Sequence, residues 1–66
     1  MQLQVNGETR SMPDRLTVAG LLAELAFTGR RVAVEVNETI VPRSQHESHQ
    51  LHPQDRVEIV HAIGGG

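Results

Sequence analysis

At 66 residues, with eight acidic side chains, six arginines and a net charge of −2, the chain is a single domain near the lower size limit for a self-sufficient core. It has no lysine, no cysteine and one aromatic, Phe27. This excludes a disulfide framework and a thiolate nucleophile, and it argues against nucleic-acid binding, which asks for a basic face with stacking aromatics.

Gln2–Asn6 alternates, with Leu3 and Val5 on one face, and Asn6-Gly7 is a strong signal for a type I′ hairpin turn. Glu8–Met12 is the returning strand, ended by Pro13. From Leu16 the spacing becomes helical: Val18, Leu21, Leu22 and Leu25 form one apolar stripe. Thr17 is the expected N-cap. Leu16 and Leu21 are placed to form a hydrophobic staple, Gly20 allows close packing on a strand, and Gly29 is the expected stop. Val32, Val34 and Val36 alternate with Ala33, Glu35 and Asn37 as a half-buried strand. Asn37-Glu38 then turns into a short Ile40-Val41 strand closed by Pro42. Ser44–Pro53 is polar and reads as a loop or a single helical turn. Arg56–Ile63 is the closing strand, with Val57, Ile59, His61 and Ile63 on one face.

One main helix across a mixed sheet of four to five strands is an α+β roll. With the first and last strands parallel at the centre, the order is that of a β-grasp, ubiquitin-like fold over residues 1–66. The expected core is Leu3, Val5, Val18, Leu21, Leu22, Leu25, Val34, Val36, Val57 and Ile59. No run approaches the ~20 apolar residues that cross a bilayer. Met1 leads into alternating residues without the regions of a signal peptide, so a cytoplasmic protein with no membrane contact is expected.

His46, His49 and His52 recur every third residue, but Pro53 and the polar composition oppose a helix that would align them, and no fourth ligand stands nearby. Solvated loop histidines, not a metal site, are the expectation, and His61 is expected at an edge or surface. The serines have no motif around them and the carboxylates are scattered, so no catalytic constellation emerges. Gly64, Gly65 and Gly66 precede no helix and form no phosphate-cradling loop. They make a flexible thread without side chains that can enter a narrow site on a partner and end there in a carboxylate. A merely frayed terminus is the alternative.

The segments Val34-Glu35-Val36-Asn37-Glu38-Thr39-Ile40-Val41-Pro42-Arg43, Asp55–Val60 and Ala62-Ile63-Gly64-Gly65-Gly66 resemble the ThiS family, the β-grasp sulfur carriers of bacterial thiamine biosynthesis. The resemblance covers nearly the whole chain. Glu38 and Gln54 depart from it, each standing where the family often has glycine in a turn. The resemblance implies a carrier, not an enzyme. A ThiF-type adenylyltransferase, using ATP and Mg, would convert the Gly66 carboxylate to an acyl-adenylate and then to a thiocarboxylate. That sulfur would pass to a ThiG-type thiazole synthase. Gly64 and Gly65 would enter the partner's site, and Val60, Ala62 and Ile63 would dock beside it. The alternatives are a molybdopterin synthase small subunit, a ubiquitin-like modifier conjugated to lysines, and a passive interaction module with an inert tail.

Overall fold

The computed structural model describes residues 1–27 and 31–61. Among them, five strands, β1 (Gln2–Val5), β2 (Glu8–Ser11), β3 (Val32–Val36), β4 (Thr39–Val41) and β5 (Arg56–His61), accompany one α-helix, α1 (Val18–Glu24). The sheet order is β2-β1-β5-β3-β4. Among the described residues only the β1–β5 pairing is parallel; it places β1 and β5 side by side at the centre, with α1 within the crossover that such a pair requires. This is the expected β-grasp order. Among the described residues, no helix is long and apolar enough to cross a membrane.

Alternation builds the core. Leu3 and Val5, Val34 and Val36, and Val57 and Ile59 project from one sheet face onto Val18, Leu21 and Leu22 of the helix. All are buried as expected. Leu25 is not; it is the C-cap residue and only partly buried. Val41 and Leu51 are buried core residues outside the expected set.

Thr17 caps α1, its Oγ1 accepting from the Gly20 amide at 3.1 Å. The remaining helix-start amides are served from the segment expected to be a loop or a single helical turn: Val18 N donates to the His49 carbonyl at 3.0 Å and Ala19 N to that of His46 at 2.8 Å. After a 3-10 turn over Arg43–Gln45, this segment runs back along residues 16–19, joined by the Thr17–Gln50 bridge and the Leu51 N to Leu16 O bond of 2.8 Å. The exposed-loop reading is therefore corrected for His46, which is 8% exposed. Its Nε2–H donates to the Val41 carbonyl at 3.1 Å.

Gly20 faces Leu16, not a strand: a Cβ there would lie 2.7 Å from Leu16 Cδ1. The helix ends before the expected Gly29, which lies outside the described residues. Phe27 N donates to Leu22 O at 2.7 Å and Ala26 N to Ala23 O at 3.1 Å, while Ala26 takes a φ of 63°. This is a Schellman ending with alanine in the left-handed position that glycine usually fills.

Candidate functional site

Of the residues that sequence reading assigns to function, Val60 lies near the end of β5. Ala62, Ile63, Gly64, Gly65 and Gly66 lie outside the described residues, so the structure defines the root of this tail and the surface beside it. On one side, β5 pairs with β3 as far as Val32↔His61. On the other, the parallel ladder with β1 ends at Val5↔Val57. Asn6 extends it: its side-chain Oδ1 accepts from Ile59 N at 2.8 Å and its Nδ2 donates to Ile59 O at 3.2 Å. One amide side chain thus imitates a further ladder residue, and β5 is held on both edges almost to its end. His61 is exposed, as expected, and its ring meets that of Phe27 edge-on at 5.6 Å. That contact ties the end of β5 to the segment following α1.

Beside this root the outer sheet face carries Val60, 57% exposed. It pairs with Ala33, and the neighbouring outward pair is Glu35↔Glu58. Ile40 lies opposite Glu35 on β4 and is 65% exposed. Val60 and Ile40 are the large apolar side chains left exposed among the described residues. Sequence reading singles out Val60 and passes over Ile40, since a three-residue strand gives too few positions to show which way its apolar residues point. The Asn6 clamp is also missed: Asn6-Gly7 announces a turn, but the side chain's partner is 53 residues away.

The three loop histidines do not converge. His46 is committed to the Val41 carbonyl, and His52 is exposed with Nδ1 4.0 Å from Asp55 Oδ2. Among the described residues, no group of three or more His, Cys, Asp or Glu side chains is arranged to hold a metal ion.

The match to the ThiS family model runs over residues 3–66 and so includes both the described fold and the glycine tail. The chain belongs to the ThiS family. Its β-grasp superposes on the crystal structure of the thiamine biosynthesis protein ThiS from Geobacter metallireducens with a TM-score of 0.87 and 30% identity, covering 100% of both chains. The sulfur carrier protein ThiS of Bacillus subtilis is 35% identical over 97% of this chain and 98% of its own length. A thiazole synthase of Paramagnetospirillum magneticum is 46% identical over all of this chain, which spans only 20% of that relative. As a ThiS-family domain, the chain has its last strand at the sheet centre and the apolar Val60 next to the tail root.

Proposed function

We propose that this protein carries sulfur for thiazole formation in thiamine biosynthesis, as a thiocarboxylate on Gly66. One observation carries the reading: the family match extends through residue 66, so the tail belongs to the matched domain. The chemistry of the chain supports it. With no cysteine in the sequence, no side chain here is a thiol that could hold the sulfur, in keeping with a carrier that uses the Gly66 carboxyl.

A carboxylate is a poor electrophile. A ThiF-type adenylyltransferase in the cytoplasm would place ATP, with Mg, against the Gly66 carboxylate, which attacks the α-phosphorus and releases pyrophosphate. AMP is then a good leaving group from the acyl-adenylate. A persulfide attacks the carbonyl and AMP departs; a second thiol then cleaves the S–S bond, leaving the thiocarboxylate and a disulfide. This chain contributes the acyl group and the surface that positions it. Val60, Ala62 and Ile63 dock against the partner, and Gly64 and Gly65 occupy the narrow approach. Ordering three tail residues costs on the order of 3–6 kcal/mol, which apolar contact at Val60 and Ile63 helps to offset. The acceptor is a ThiG-type thiazole synthase. Support comes from the Paramagnetospirillum relative of that name, whose chain includes a stretch like this one.

Gly65→Val tests the narrow approach. With the adenylyltransferase of the same organism, ATP–pyrophosphate exchange should be lost while the denaturation midpoint stays at the parent value. Unchanged exchange would contradict the reading.

A further inference from the structure

The centre of the outer sheet face carries an arrangement that folding alone disfavours. Glu35 and Glu58 are direct cross-strand partners on adjacent antiparallel strands, and like charges in that position repel. Neither carboxylate has an ion-pair partner among the described residues. The nearby guanidinium is engaged elsewhere, Arg56 lying 3.6 Å from Glu38 Oε2. Glu35, Glu38, Glu58 and Arg56 together line a recess of about 250 Å³, with three negative charges against one positive.

The flanks of this pair hold the exposed apolar side chains. Ile40 is directly opposite Glu35 on β4, and Val60 is the next outward residue after Glu58 on β5. A repelling acidic pair between two exposed apolar side chains leaves a negative site that a positive group of another molecule would neutralise on docking. Val60 lies two residues before the segment 62–66, so a partner holding the tail also covers this face.

We propose that Glu35 and Glu58 together receive a cationic side chain, a guanidinium or ammonium, of the adenylylating partner, with Ile40 and Val60 as its apolar flanks. The inference rests on the sulfur-carrier reading and adds to it the residues that choose the partner. Charge at this place selects an enzyme with a complementary cation and rejects one with an acidic patch.

The test compares the parent with Glu35→Gln/Glu58→Gln and with Val60→Asp, each shown to be folded, by calorimetric titration against the adenylyltransferase at low and high salt. The double glutamine variant should melt a few degrees higher, because repulsion is relieved. It should also bind about tenfold more weakly at low salt and lose most of the parent's salt dependence. Val60→Asp should weaken binding at least as much. A double variant that binds as the parent does, or melts no higher, overturns the proposal. If Val60→Asp still weakens binding in that case, docking on this face stands without the carboxylates. If Val60→Asp is silent as well, the docking surface itself has been misplaced. Weakened binding to thiazole synthase alone would also overturn the assignment to the adenylylating partner.

Discussion

Ala26, Glu38 and Gln54 have φ values of 63°, 71° and 72°, a region that costs a residue with a Cβ about 1–2 kcal/mol. Asn6 and Asn37 share it at 50° and 51°, but asparagine tolerates it through local hydrogen bonds. Here the Asn37 side chain is held instead by long-range bonds: its Oδ1 accepts from Arg56 N and its Nδ2 donates to Asp55 Oδ1, both at 3.0 Å. The positions of Glu38 and Gln54 are legible in the sequence only as departures from the glycine that the ThiS resemblance implies there. Ala26 is not, because Gly29 offers a more obvious stop and only the backbone shows that the helix has already ended. Glycine at each of these three positions should raise stability by roughly 0.5–1 kcal/mol, the relieved strain exceeding glycine's extra unfolded-state entropy. The gain at Glu38 is the smallest, since its exposed 3.6 Å pair with Arg56 is also lost, although such pairs contribute only ~0–1 kcal/mol. Urea denaturation of the single variants measures this; midpoints at or below the parent would contradict the strain assignment.

At the level of elements, the strands and the helix are readable because each repeats its own period against a single core. The segment from Arg43 to Leu51 is not. Its buried residues, His46 and Leu51, are separated by polar ones and follow no period. What buries them is docking across the start of α1, where this segment supplies carbonyls to Val18 and Ala19. Local composition cannot report a long-range hydrogen bond. The segment is therefore a structural strap, and Leu51 should behave as a core residue. Leu51→Ala is expected to cost about 2–5 kcal/mol, similar to Leu22→Ala in the helix and a large share of the stability of so small a domain. A loss within error of zero would show that the strap stands apart from the cooperative core.

Taken as a whole molecule, the fold places its last strand at the sheet centre, held by β3 on one side and by β1 with the Asn6 clamp on the other. The end of β5 is thereby fixed relative to the outer face that carries Val60. The glycine tail and Val60 are legible in the sequence because one is compositional and the other follows from strand alternation. The Glu35–Glu58 pairing is not, since it depends on the register between β3 and β5, which neither strand specifies alone. The central claim concerns the Gly66 carboxyl, and intact-mass spectrometry after incubation with the adenylyltransferase, ATP and a sulfur source tests it most directly. The full-length chain should gain the mass of one oxygen replaced by sulfur, mapped to the C-terminal peptide. A chain lacking only Gly66 should gain nothing, because its carboxylate stops about 3.5 Å short along an extended chain, beyond what near-attack geometry tolerates. A sulfur adduct that persists in the shortened chain, or none in the full-length chain with an active partner, would contradict the account.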